Sequence, residues 1–209
     1  MKKTGIFLAS LFLMMSFCVN AQVYVGGSIS MNSTGGKYDD GSKKPSNLSI
    51  SLNPDFGKFL SDKLAAGIML HLGNSRNNNQ NEVEVVNKTS SFGIFPYVRY
   101  YSTLAGKLSL FTQAYAGLGL ENRKTVTGGN TTDGPSATSI SIGIYPGLSY
   151  DVNDRLSLET SVNLFNIGVS STTEKTGSNK ETNTHFGIGA GLDNLVNTSN
   201  ISVGAILKF

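Results

Sequence analysis

The sequence predicts an all-β fold, an eight-stranded antiparallel transmembrane up-and-down β-barrel, and three observations carry that expectation. Apolar residues recur at every second position in eight successive segments, the period of a strand with two unlike faces. The connections between those segments alternate between short turns and long polar stretches. The chain ends on an alternating strand whose apolar face is Ile201, Val203, Ala205, Leu207 and a terminal Phe209.

The first segment, residues 23–31, sets Val23, Val25, Ile29 and Met31 against Tyr24, Gly26, Ser28 and Ser30. The second, 47–59, sets Leu48, Ile50, Leu52, Pro54 and Phe56 against Ser49, Ser51, Asn53 and Asp55. In the third, 64–73, Leu64, Ala66, Ile68, Leu70 and Leu72 oppose Ala65, Gly67, Met69 and His71. Residues 91–101 and 107–121 form the fourth and fifth, and in the fifth Leu108, Leu110, Ala114, Ala116, Leu118 and Leu120 oppose Phe111, Gln113, Tyr115 and small residues. The sixth, 138–152, sets Ile140, Ile142, Ile144, Leu148 and Tyr150 against Ser139, Ser141, Gly143, Tyr145, Gly147 and Ser149. Residues 155–169 and a segment ending at Phe209 supply the seventh and eighth. Residues 184–200 are expected to extend the eighth strand above the membrane, with an interruption near Asp193 and Asn194.

Each segment has about the 9 to 11 residues that cross a bilayer obliquely. An open sheet in lipid would leave its edge amides and carbonyls without partners, so the sheet must close. A soluble barrel around an apolar ligand would turn its apolar parity inward; here the other parity is rich in Ser and Gly. The short connections are 60–63, 102–106 and 153–154, and the long ones 33–45, 74–90, 122–136 and 170–183. Short turns belong on the periplasmic side and long loops outside. With an even strand count, both termini are expected in the periplasm of a Gram-negative bacterium. Phe56, Phe59, Tyr100, Tyr101, Tyr150 and Phe209 lie beside the short turns and are expected to form an interfacial girdle.

The first residues read as a secretory signal: Lys2 and Lys3 precede an apolar run, and cleavage is expected between Ala21 and Gln22. The expected organisation is a signal peptide at 1–21 and one barrel domain at 22–209. The single cysteine, Cys18, leaves with the signal; Phe17 before it is too large for a lipoprotein site. Loss of Lys2 and Lys3 also lowers an already small formal charge of +3. The sequence therefore supports no nucleic-acid partner.

Several stretches, Leu52-Asn-Pro-Asp-Phe-Gly-Lys-Phe-Leu-Ser-Asp-Lys-Leu64, Phe95-Pro-Tyr-Val-Arg-Tyr-Tyr101, Tyr145-Pro-Gly-Leu-Ser-Tyr150 and the terminal strand, resemble small outer-membrane β-barrels, the porin-like proteins of OmpA/OmpX type. The resemblance implies an eight-stranded barrel in outer-membrane lipid, with any recognition in its loops. It also implies that the terminal strand, with Leu207 and Phe209, is read by the barrel-assembly machinery.

An eight-stranded barrel is just wide enough for its interior to be filled by side chains. The inward parity carries Phe95, Tyr97, Tyr115, Tyr145 and Phe165 with Arg99, Gln113 and Glu159. Arg99 and Glu159 stand at similar heights above the short turns, so an interior salt bridge between them is expected, because an unpaired charge there is costly. His71 and His185 are the two histidines. Either is a candidate base for a lipid-modifying barrel enzyme, and both are also explained as polar structural residues. More than a hundred residues separate them, and no cysteine stands nearby to complete a metal site. No metal or cofactor is expected. Gly117-Leu-Gly119 and Gly187-Ile-Gly-Ala-Gly191 lack the spacing and the helix of a nucleotide loop. Asp39 and Asp40 are too few oxygens for calcium. The expected function is non-enzymatic, in envelope integrity or surface recognition, with a lipid-modifying enzyme or a narrow gated pore as alternatives.

Overall fold

A computed structural model describes residues 22–79, 85–162, 165–190 and 201–209. The expected signal peptide, with Ala21, and the expected interruption near Asp193 and Asn194 lie outside these residues. The strand segments are β1 (Val23–Thr34), β2 (Ser46–Ser61), β3 (Leu64–Asn79), β4 (Val85–Ala105), β5 (Leu108–Thr127), β6 (Asn130–Asp151), β7 (Leu156–Val162), β8 (Phe165–Thr176), β9 (Asn179–Ala190) and β10 (Ile201–Lys208). Consecutive strands β1 to β6 pair antiparallel. β6 then pairs with β7 along one part of its length and with β8 along another. β8 pairs with β9, and β10 pairs with both β7 and β1.

β7 and β8 are thus two lengths of the seventh stave of the barrel, and β9 and β10 two lengths of the eighth. The result is an up-and-down ring of eight. The β1–β10 pairing, from Tyr24 opposite Lys208 to Ile29 opposite Val203, closes it. Closure gives the backbone polar groups of both terminal strands partners inside the sheet, which lipid could not provide.

The apolar parity faces outward. Ile29, Met31, Ile140, Ile142 and Val203 are each more than half exposed, an arrangement that water would penalise and lipid does not. Tyr24, Ala65, Tyr97 and Ile206, all of the opposite parity, are almost completely buried inside.

Three of the four long connections are largely sheet. Residues 122–136 continue β5 and β6 to a two-residue turn at Gly128 and Gly129, between the paired Thr127 and Asn130. Both turn glycines have positive φ, 56° and 85°, as a hairpin turn matched to strand twist demands. Residues 170–183 form the β8–β9 hairpin, turning at Gly177 with φ 60°. In 74–90, β3 runs to Asn79 and β4 starts at Val85. Polarity alone suggested loops, but a ribbon with water on both faces needs no apolar parity, only β-tolerant Thr, Asn and Val with a glycine to turn. Residues 35–45 do remain a loop, pinned by a bridge between Lys37 and Lys43.

Lysine at Ile144, in the middle of the outward apolar run of β6, is expected to destabilise the barrel by about 2–4 kcal/mol in lipid vesicles. The same change at Thr132, on the polar extension of that strand, is expected to fall within about 0.5 kcal/mol of the parent. Urea titration of the two variants in one lipid checks the contrast; equal effects would remove Ile144 from the lipid-facing surface.

Candidate functional site: a plugged interior beneath a vestibule

Arg99 of β4 faces inward because it shares parity with Phe95 and Tyr97. Its neighbour across the ladder is Gln113 of β5, whose Oε1 accepts from both Arg99 Nε (2.8 Å) and Nη2 (2.6 Å). Across the lumen, Arg99 Nη1 donates to Glu159 Oε2 of β7 at 2.6 Å. Nη1 also reaches Tyr101 Oη at 3.1 Å, and Tyr101 in turn donates to Glu159 Oε1 at 2.9 Å. Asp55 Oδ2 of β2 lies 3.5 Å from Nη2. The guanidinium carbon stands 4.7 Å from the ring centre of Phe111 and 5.1 Å from that of Tyr97, within range for cation–π attraction.

One side chain, 3 % exposed, therefore ties β2, β4, β5 and β7 together. Burying a guanidinium is costly unless its donors are used and its charge is met. Here each nitrogen has an acceptor and two carboxylates face the charge. The planar fork of Arg makes this possible; Lys would offer a point charge with no comparable reach to several staves.

Aromatic rings fill the space around the network. Tyr24 and Tyr97 join hydroxyls across the lumen at 2.6 Å. Phe59 packs on Tyr24 at 5.3 Å and on Tyr101 at 5.6 Å, and Tyr101 on Phe111 at 6.0 Å. A second tier is formed by Tyr115, 5.9 Å from both Phe95 and Tyr145. The rings lie over glycines paired with them on neighbouring strands: Tyr24 over Gly57, Tyr97 over Gly67, Phe111 over Gly147 and Tyr115 over Gly143. A Cβ at any of these glycines would run into the ring. Large and small side chains thus interdigitate across the ladder and fill most of the cross-section, leaving a space of about 40 Å³ beside Asp55, Arg99 and Glu159.

Phe59 and Tyr101 correct the expected girdle. Phe59 shares parity with Asp55 and Gly57, and Tyr101 with Arg99, so both turn into the lumen. Phe56, Tyr100, Tyr150 and Phe209 do face outward and are about half or more exposed. The backbone of Phe59 remains at the barrel end, its N–H donating to the carbonyl of the exposed Gln22. Tyr24, Asp55 and Phe111 also join the plug; their inward parity is legible in the sequence, but their partners across the lumen are not. The side chain of Phe165 lies outside the described residues.

Two larger spaces lie on either side of the plug. Toward the short turns is a cavity of about 140 Å³ bordered by Phe59, Tyr101, Asp151 and Lys208. Toward the hairpins is a vestibule of about 500 Å³ walled by His71, Ser91, Ser139, Glu121, Arg123 and Glu174, among others, with Phe95 also on its wall. Near the mouth, Arg123 is held by Glu121 at 2.5 Å and Glu174 at 2.9 Å. His71 Nδ1 is 2.7 Å from Asn53 Oδ1 and its Nε2 is 3.2 Å from Ser91 Oγ. His185 is exposed on β9, paired with Ser170, two residues beyond Asn183 of the vestibule wall, and no bond joins it to His71. Among the described residues no three His, Cys, Asp or Glu side chains gather as metal ligands. At the other end Leu207 pairs with Val25, the Phe209 N–H donates to the Val23 carbonyl at 2.9 Å, and both side chains face outward.

Gly147→Ala is expected to cost about 1–3 kcal/mol by driving a methyl group into the Phe111 ring. Combining it with Phe111→Leu should recover part of that loss, measured as urea midpoints of the refolded barrel; strictly additive losses would deny the cross-strand packing.

The chain is similar in fold to several solved outer-membrane proteins. Neisserial surface protein A matches at 17% identity and a TM-score of 0.39, covering 90% of this chain and 96% of that one. A major outer membrane protein from Thermus thermophilus matches at 10% identity and 0.46, covering 91% and 100%. Ail, the attachment invasion locus protein of Yersinia pestis, matches at 15% and 0.41, covering 90% and 97%. No curated protein matches the sequence significantly. Residues 5–209 match the model of the outer membrane protein beta-barrel domain, so the chain belongs to that family of outer-membrane β-barrels.

Proposed function

We propose that this barrel is sealed across its middle and serves envelope integrity or surface recognition, with its hairpins and vestibule outside and both termini in the periplasm. The observation that carries the reading is the plug. Arg99, held by partners on four staves and flanked by the rings of Phe111 and Tyr97, stands between the vestibule and the cavity at the other end, which supports a closed lumen. A conducting pore would need a lumen lined by side chains that leave water room, as larger barrels have.

The ends of the staves support this orientation. Tight turns at 62–63 and 106–107 and the short link at 152–155 share one end with Val23 and Phe209, while the long hairpins share the other; short turns are periplasmic in such barrels. The outward apolar band takes outer-membrane lipid as its solvent. The alternating β10 with Leu207 and Phe209 is the segment we assign to contact with the barrel-assembly machinery during insertion. The vestibule and the mixed charges of Glu121, Arg123 and Glu174 offer a surface for recognition rather than a route for transport.

In planar bilayers the purified protein is expected to show no discrete conductance steps at about 1 M KCl and moderate voltage, because the side chains of so narrow a barrel fill it. Stable single-channel steps from the parent protein would overturn the sealed reading and favour the narrow gated pore.

A further inference from the structure

Three inward residues on three adjacent strands meet at the edge of the vestibule: His71 of β3 and Ser91 of β4 on its wall, and Asn53 of β2 behind His71. Ser91 lies directly opposite Gly73 on the ladder, while His71 is opposite Gly93, so the serine hydroxyl and the imidazole approach each other diagonally over Gly73. A Cβ at Gly73 would collide with Ser91 Oγ and stand 2.9 Å from His71 Nε2. The missing side chain is what lets the pair form.

The hydrogen bonds assign the proton positions. Asn53 Nδ2 donates to Ser28 Oγ at 3.3 Å, which turns Asn53 Oδ1 toward His71 Nδ1 at 2.7 Å. A carbonyl oxygen only accepts, so Nδ1 carries the proton and donates it. In the neutral ring Nε2 is then bare, and it accepts from the Ser91 hydroxyl 3.2 Å away. A hydroxyl on a base whose tautomer is set by a third group is the arrangement that activates a serine nucleophile. Both Ser91 and His71 border the cavity of about 500 Å³, a volume within the range of small-molecule pockets.

We propose that Ser91, His71 and Asn53 act as nucleophile, general base and orienting amide, giving the barrel an acyl-transfer activity toward small carboxylic esters that enter from the hairpin mouth. Ser91 Oγ forms a bond to the ester carbonyl carbon while its proton passes to His71 Nε2. The bond from that carbon to the alcohol oxygen breaks, and the departing alcohol takes the proton from Nε2. Water then attacks the acyl-serine, giving up a proton to His71; the acid leaves, and the proton returns to Ser91. Phe95 on the vestibule wall suits a short apolar acyl chain. Glu121 and Glu174 outnumber Arg123 near the mouth, which favours neutral or cationic esters over anionic ones. This activity goes beyond the sealed-barrel reading and is independent of the plug, so conductance measurements do not bear on it.

The test is covalent labelling of the purified, folded barrel in detergent with an alkyl fluorophosphonate, read by peptide mass spectrometry, together with hydrolysis of p-nitrophenyl butyrate. The expected result is a single adduct on Ser91. Labelling and hydrolysis are expected to fall by about 100-fold or more in His71→Gln, to vanish in Ser91→Ala and to be unchanged in His185→Gln, with heat-dependent gel mobility confirming that each variant is folded. A folded parent protein that takes no label, or Ser91 labelled equally fast in folded His71→Gln, would overturn the proposal. The parent result decides the matter even where a variant does not fold.

Discussion

Everything inside this barrel is arranged around one buried positive charge. The lumen of an eight-stranded barrel cannot hydrate a guanidinium, so Arg99 is tolerable only if protein atoms replace water on every nitrogen. Gln113 takes two of its donors, Glu159 and Tyr101 a third, and Asp55 adds a second carboxylate at 3.5 Å. Those partners come from different staves. Satisfying the charge and fixing the cross-section of the barrel are therefore the same event, and the aromatic tiers pack on a frame already set by it.

The outside obeys a different constraint. Lipid provides no hydrogen bonds and gives no reward for burying apolar side chains, so the sheet is held by its closed ladder and by the match between its apolar parity and the bilayer. A register slip of one residue would put Arg99 and Glu159 into lipid and Ile140 and Ile142 into the plug. The two faces thus specify the same register from opposite sides. Above the bilayer, where both faces meet water, that constraint relaxes, and the strands continue as polar ribbons closed by Gly128, Gly129 and Gly177.

How much of this was legible in the sequence depends on which quantity period-two alternation reports. It reports facing, and so the outward set, the inward placement of Arg99, Gln113 and Glu159, and the number of staves could be read directly. It does not report which residue on a neighbouring strand lies opposite, because register is a relation between distant segments. The pairing of each interior ring with a glycine, such as Phe111 with Gly147, was invisible for that reason. So was the chain from Ser28 through Asn53 and His71 to Ser91, which spans four strands. Phe59 and Tyr101 were misplaced by weighing their nearness to the turns above their own parity. The hairpin extensions were read as loops because polar strands lack the apolar signal on which strand recognition relies.

The most direct test of the central claim is a double-mutant cycle on Arg99 and Glu159, using Arg99→Met, Glu159→Gln and the pair, with unfolding free energies measured in lipid vesicles. If the buried ion pair organises the plug, Arg99→Met leaves two carboxylates without their cation and costs about 3–5 kcal/mol, Glu159→Gln costs less because Asp55 stays 3.5 Å from the guanidinium, and the double variant is much less destabilised than the sum. Additive effects within about 0.5 kcal/mol would mean that the two side chains do not depend on each other, and the account of the interior built on Arg99 would fail.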